Sequence, residues 1–390
     1  MGCLNRGYIL RGEVFLRRIL FITGTRADYG KIKPLLSIIS KSKGFEAYIY
    51  VTGMHLLESR GNTYHEILKD GFDKVYIAKE NIPTSNTSFD MGRTITNLTK
   101  YVLENKPDSI VVHGDRPDAL AGAIVGAFNN IRVIHIEGGE VSGTIDESIR
   151  HAITKLSHIH FVANEDAKKR LILLGENKDY IKVIGSPDID IIKSVKLPSI
   201  ESVKKHYDIP FENYGILLFH PVTTEVDLIK SQIKNIVEAC KQSNKDFIVI
   251  YPNNDLGSHY IIDEYHSLDN KRNFRVFPSV RFESFIVLLK YADFIIGNSS
   301  AGVREAPYFG IETIDIGSRQ EGRYDKRKET TIHHVECVSS DLLESIKAVR
   351  KHKEANLNWG EGNSAELFIN EIKNEEFWNI PLQKKLTYDL

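Results

Sequence analysis

Three observations predict an α/β chain built as two doubly wound domains facing a cleft. Short apolar, β-branched runs alternate with helical stretches along most of the 390 residues. The alternation is interrupted by a polar, proline-bearing stretch near residues 187–205 and then resumes. Run after run ends in glycine, serine, histidine, arginine or a carboxylate, the residue types that meet ligands beyond the carboxyl ends of a parallel sheet.

The elements follow in order. "RRILFIT" reads as a strand, with a helix expected from about Lys31; "EAYIYVTG" and "KVYIA" are further strands. "DSIVVHGD" leads into the small-residue helix "DALAGAIVGAFNN", "IRVIHIEGG" into "DESIRHAITKL", and "IHFVANE" into "DAKKRLILLG". The first series ends near "YIKVIGSPDIDII". After the interruption come "GILLFHP", "DFIVIYPNN", "FRVFPS", "DFIIGNSS" and "ETIDIG". Expected boundaries are an extension over 1–16, a first domain over 17–190 and a second, nucleotide-binding domain over 191–365. A helix and tail fill 366–390.

Composition narrows the function. Lys plus Arg total 51 and Asp plus Glu 52, so a net charge of −1 gives no electrostatic case for a nucleic-acid partner. Anion binding has to come from local sites. No apolar stretch approaches the roughly 20 residues that span a bilayer, and no membrane partner is expected. Cys3, Cys240 and Cys337 are far apart and form no metal-ligand pattern, which fits a reduced, cytoplasmic protein. Met1-Gly2-Cys3 hints at acylation, but Arg6 stands where that motif needs Ser or Thr. Neither a metal nor another cofactor is expected.

Chemistry concentrates at the strand ends. Gly24 to Lys31 reads G-x5-G-K followed by Ile32, one residue too long for a Walker loop and lacking its Ser or Thr. A strand, a glycine turn, Arg26 and a helix N-terminus remain; these suit an anion or an ordinary turn with an Arg26–Asp28 surface pair. In "HGDR", Asp115 serves as a general base or as an N-cap, with Arg116 beside it. Glu137 ends a strand before Gly138-Gly139, and a helix follows with Asp146, Glu147, Arg150 and His151. Thr144-x-x-Glu147 fits a capping box and Asp146–Arg150 a surface pair. The same carboxylates and arginine also fit proton transfer at a bound anion. His220 ends the strand "GILLF". Ser299 and Ser300 open a helix carrying Glu305, an arrangement fit for a diphosphate and a ribose diol or for plain capping. "GSRQEGR" adds Arg319 and Arg323.

The motifs "GTRADYGKIKPLL", "HGDRPDALA", "IHIEGGEVSGTIDESIRHAITKLSH", "HPVTTE", "IGNSSAGVREAPYFG" and "GSRQEGR" together resemble the hydrolysing UDP-N-acetylglucosamine 2-epimerases, in order from about residue 17 to 370. The resemblance implies two Rossmann-like domains in a glycosyltransferase-B-like (GT-B-like) arrangement. The C-terminal helix around "SAELFINEIKNEEF" would cross back to the first domain. It implies conversion of UDP-N-acetylglucosamine and water to N-acetylmannosamine and UDP through a 2-acetamidoglucal, for sialic acid (nonulosonic acid) biosynthesis, by a homodimer or homotetramer. It assigns Arg26, Arg116, His220, Ser299, Ser300 and Arg319 to the diphosphate and its neighbourhood, Glu305 to the ribose and Asn253 to the cleft. Asp115, Glu137 and Asp146 become acid/base candidates supported by Glu147 and Arg150, with His220 as a further proton carrier. Gly30 stands where the family carries a serine. His259 and Asp263 stand where the animal enzyme's feedback site has basic residues, so that feedback is expected to be absent. Three other readings share many of these residues: a 2-epimerase for 2,4-diacetamido nucleotide sugars, a glycosyltransferase of the same fold, and a non-catalytic nucleotide-sugar sensor.

Overall fold

The structure is a computed structural model that describes residues 16–84, 86–142, 145–193, 197–253, 255–324, 330–349 and 354–385. The expected extension therefore lies, apart from Leu16, outside the described residues.

Two all-parallel sheets carry the chain. The first contains β1 (Arg17–Thr23), β2 (Phe45–Val51), β3 (Val75–Ile77), β4 (Ser109–His113), β5 (Arg132–Ile136), β6 (Ile159–Val162) and β7 (Ile181–Val183), in the spatial order β3-β2-β1-β4-β5-β6-β7. The second contains β8 (Gly215–Leu218), β9 (Phe247–Ile250), β10 (Phe274–Phe277), β11 (Phe294–Gly297), β12 (Glu312–Ile316) and β13 (Ile332–Val335), in the order β10-β9-β8-β11-β12-β13. Both sheets reverse direction of growth between the first strand and its crossover neighbour, β1/β4 and β8/β11.

Both faces of each sheet are buried, which is why the strands read as continuous apolar runs. Ile19 and Phe21 enter one core with the Arg26–Ser40 helix, while Leu20 and Ile22 enter the opposite core with the Pro117–Phe128 helix. Ile216 and Ile248 likewise oppose Leu217 and Val249 in the second lobe. No helix among the described residues is long and apolar enough to cross a membrane.

Two elements differ from expectation. The first helix begins at Arg26 rather than near Lys31, because the Thr25 hydroxyl accepts a hydrogen bond from the Asp28 N–H at 3.1 Å and starts the helix early. Pro34 sits inside this helix without ending it. β13 was not anticipated: "IHHV" is an edge strand whose two histidines hide the apolar alternation.

The chain crosses between lobes twice. After the first sheet it passes Gly185, and it returns past Gly360, where the two backbones nearly touch: a Cβ on Gly360 would lie 2.7 Å from the Gly185 Cα. The Ser364–Lys373 helix then packs on the first lobe, placing Phe368, Ile369 and Ile372 in the core beneath β1 and β6. Phe368 meets Phe161 edge-on at 4.8 Å between centroids. Phe368→Ala is expected to cost about 3–5 kcal/mol by opening this core. A urea melt followed at the first lobe checks it; a loss under about 1 kcal/mol would mean that the site collapses around the gap.

Candidate active site

The two switch points face each other. At the first, the Gly24–Arg26 turn after β1 lies beside Gly114–Arg116 after β4; at the second, His220 follows β8 and Asn298–Ser300 follow β11. Ligands of doubly wound sheets bind at such points.

Asp115 anchors the first-lobe side. It does not cap the next helix: Arg116 occupies the N-cap position, without a side-chain cap. Its carboxylate accepts from Ser142 Oγ at 3.0 Å and from Arg150 Nη2. Burial opposes its charge, but Arg150 and Arg323 outweigh that and hold it down at about 2. Arg150 is buried and also donates to the Glu137 carbonyl at 2.6 Å, so it is a framework residue and not a member of a surface pair. Glu147 accepts from the Ser142 N–H and lies 3.0 Å from His151. The Thr144 half of the anticipated capping box lies outside the described residues. Asp146 is half-buried at the start of the same helix.

On the second lobe, the Asn298 side chain exchanges two bonds with the His220 backbone: His220 N–H to Asn298 Oδ1 at 2.7 Å and Asn298 Nδ2 to the His220 carbonyl at 2.8 Å. The His220 ring accepts from the Asn253 N–H at 3.0 Å through Nδ1. Burial and the Arg319 charge push its imidazole down to about 3, so it is neutral near pH 7. Arg319 donates to the Asn298 carbonyl at 3.1 Å. Ser299 caps the short Ser300–Val303 helix, accepting from Ala301 N–H at 3.3 Å, with Ser300 as its first residue. Glu305 is buried just beyond; burial and the neighbouring Asp188 charge raise it to about 7.

Charges from both lobes meet in the seam. Arg116 stays charged despite burial because Asp146, Asp255, Asp118 and Asp115 surround it. Arg319 opposes the same Asp255, Asp146 and Asp115, although burial lowers it. The polar atoms buried here without a hydrogen-bond partner among the described residues include Nε of Arg116, Nε of Arg319, Oδ1 of Asn253 and Oε2 of Glu305. Donors on arginines from both lobes, and acceptors beside them, are therefore left open.

Arg26 is placed apart from this group. It forms a two-pronged pair with Glu66 and donates to Ser279 Oγ of the second lobe at 3.2 Å. The Arg26–Asp28 pair does not form: Asp28 instead lies 3.1 Å from His113 Nδ1.

Several residues around Glu137 escaped the sequence reading. Glu137 sits in a left-handed backbone conformation, φ 61°, which costs a non-glycine residue about 1–3 kcal/mol. Its carboxylate is ringed by Arg304, Ser186, His113 and Lys31. Burial resists its charge, yet Arg304 and Lys31 hold it well below the usual carboxylate range. In return, and against burial, Glu137 and Asp28 raise His113 to about 9. Lys31 also pairs with buried Asp188 at 2.9 Å. Lys31, His113, Asp188 and Arg304 all stand within or beside quoted motifs. Their adjacency to charged motif residues was the available signal; what hid their role was sequence distance, 167 positions between Glu137 and Arg304.

Two facing doubly wound lobes, with arginines and carboxylates converging where both sheets reverse, define an enzyme class that works on an anionic ligand between its lobes. A family model described as UDP-N-acetylglucosamine 2-epimerase matches residues 37–373, and the chain belongs to that family. It is 44% identical over 375 residues, 95% of this chain and 98% of the relative, to a UDP-N-acetylglucosamine 2-epimerase of Neisseria meningitidis serogroup B. It is 34% identical over 377 residues, 95% of this chain and 98% of the relative, to a UDP-N,N'-diacetylbacillosamine 2-epimerase (hydrolyzing) of Legionella pneumophila. Among solved structures, the Methanocaldococcus jannaschii UDP-GlcNAc 2-epimerase in complex with UDP-GlcNAc and UDP superposes with a TM-score of 0.77 at 22% identity, covering 91% of this chain and 99% of that one. The GT-B-like arrangement expected from the sequence is the one the chain adopts.

Proposed function

We propose that this chain is a hydrolysing UDP-N-acetylglucosamine 2-epimerase that turns UDP-N-acetylglucosamine and water into N-acetylmannosamine and UDP for sialic acid biosynthesis. The observation that carries the reading is the seam itself. Arg116 and Arg319, one from each lobe, leave donors open opposite the carboxylates Asp115 and Asp146. A diphosphate supplies the acceptors for those donors, and Glu305 Oε2 suits a ribose hydroxyl.

In this reading a first-lobe carboxylate, Asp115, Glu137 or Asp146, takes the C2 proton. The C1–O bond breaks with its electron pair going to UDP, and a C1=C2 double bond forms. Water then adds its hydroxyl to C1, and C2 receives a proton on the opposite face. The C2 proton is weakly acidic, so the arginines matter most as charge builds on departing UDP. Ser299 and Ser300 sit where the β-phosphate meets a helix start; Asn253 and His220 line the same wall. Arg26 reaches the nucleotide by releasing Glu66.

The Legionella relative's name favours a second reading, a 2,4-diacetamido sugar as substrate at the same site. Side-by-side assays of the two nucleotide sugars decide between them. For either substrate, a reaction in heavy water is expected to release UDP and a free sugar carrying about one deuterium at C2. UDP release without deuterium at C2 would instead fit a glycosyltransferase, and UDP binding without turnover a sensor. The protein is further proposed to work in the cytoplasm as a homodimer or homotetramer; exposed Leu103 and Phe128 on first-lobe helices support self-association. A monomer in size-exclusion chromatography with light scattering would oppose it.

A further inference from the structure

A buried guanidinium of the second lobe, Arg304, reaches into the first. Arg304 donates from Nη1 to Glu137 Oε2 at 2.9 Å and from Nη2 to Glu137 Oε1. Nη2 also donates to Ser186 Oγ at 2.6 Å, and Asp188 Oδ2 lies 3.4 Å away. The Trp359 ring covers the guanidinium at 4.8 Å from its centroid. Around Glu137 stand His113 Nε2 at 3.1 Å, Lys31 Nζ at 4.0 Å and Ser186 Oγ at 2.6 Å, while Arg150 holds its carbonyl. The buried carboxylate of Glu140 adds a like charge nearby, and Glu305 acts on Lys31. Glu137 thus has both oxygens engaged, and its two-pronged partner comes from the other lobe.

We infer that Arg304 is a positioning residue for the reaction: it reaches across the seam and fixes the Glu137 carboxylate in one orientation. A two-pronged guanidinium–carboxylate contact sets both distance and plane, which a single-point cation cannot do. Glu137 takes up its left-handed backbone, φ 61°, one residue past the end of β5. The inference rests on the 2-epimerase reading only for its kinetic test.

The test uses the full chain with Arg304→Gln and Arg304→Lys. In Arg304→Gln, Glu137 loses its nearest cation, so the acid limb of kcat is expected to move up by about one pH unit. kcat then falls by up to about tenfold at pH values below the wild-type limb and recovers as pH rises past it, while KM for UDP-N-acetylglucosamine stays within about threefold. Arg304→Lys keeps a cation and leaves the limb in place, but loses about three- to tenfold in kcat because one prong is gone. An equal loss at every pH in Arg304→Gln, or wild-type kcat in Arg304→Lys, overturns the inference. A second readout needs no turnover: the 13C carboxyl resonance of Glu137, assigned through Glu137→Gln. It is expected to titrate at higher pH in Arg304→Gln than in wild type, and at wild-type pH in Arg304→Lys. Resonances that titrate alike in wild type and Arg304→Gln overturn the inference, whereas a wild-type protein without turnover overturns only the epimerase reading. Should Arg304→Gln fail to fold, Arg304→Lys carries both readouts.

Discussion

Asp115→Asn is expected to lower turnover of the nucleotide sugar by about 10²–10⁴-fold, with UDP affinity within about threefold of wild type. Asparagine keeps the shape and the contact with Ser142, so geometry survives while the charge is lost. The ionised carboxylate is what Arg150 and Arg323 maintain, and an amide neither accepts a proton nor neutralises Arg150. Turnover within threefold of wild type, alongside normal folding, would remove Asp115 from the chemistry. The same residue contributes to acid stability. Its folded value, about 2, lies below the ordinary 3.8, so its contribution is present above about pH 4 and lost as pH falls towards 2. Asp115→Asn should therefore flatten the fall in melting temperature across that window, and an unchanged slope would count against the Arg150 pairing.

Gly297→Ala is expected to destabilise the second lobe by about 3–5 kcal/mol, from a backbone penalty and a direct clash together. Gly297 closes β11 with φ 138°, a conformation side chains rarely adopt, and a Cβ there would lie 2.0 Å from the Leu218 carbonyl oxygen. The neighbour is backbone of the adjacent strand, so no rotamer change relieves it. Asn298 and Ser299 follow directly, and a displaced β11 end would move the His220–Asn298 exchange with it. A thermal melt and UDP titration check this together: both should worsen. A melting temperature within about one degree of wild type would mean that the β8–β11 pair spreads freely at its end.

Much of this molecule was legible in its sequence, for definite physical reasons. Strands buried on both faces leave long apolar runs, and each run ended where a polar loop had to leave the sheet. Asp115, Arg116 and Arg319 were visible because they stand at those ends, and Asp146 because it opens the helix after the double glycine; the structure gathers them from both lobes. Other features depended on distant partners. Whether Asp115 capped a helix or met Arg150 was open until Ser142 and Arg150 were in place beside it. Local spacing offered Arg26–Asp28 and Asp146–Arg150 as pairs, but tertiary partners replaced the first and turned Arg150 inward. Lys31, Asp188 and Arg304 were obscured because a charge reads as surface until its counter-charge is known, and theirs comes from another element or the other lobe.

The Ser364–Lys373 helix closes the first lobe's core with the last part of the chain. On the ribosome, that lobe's strands emerge early yet wait, with the hollow beneath Phe161 unfilled, until the second lobe has been made. The second lobe, whose sheet runs from Gly215 to Val335, has its strands complete by then. Birth order and folding order are thus inverted: the lobe synthesised first is the one finished last, and a ribosome that stops short strands the older half.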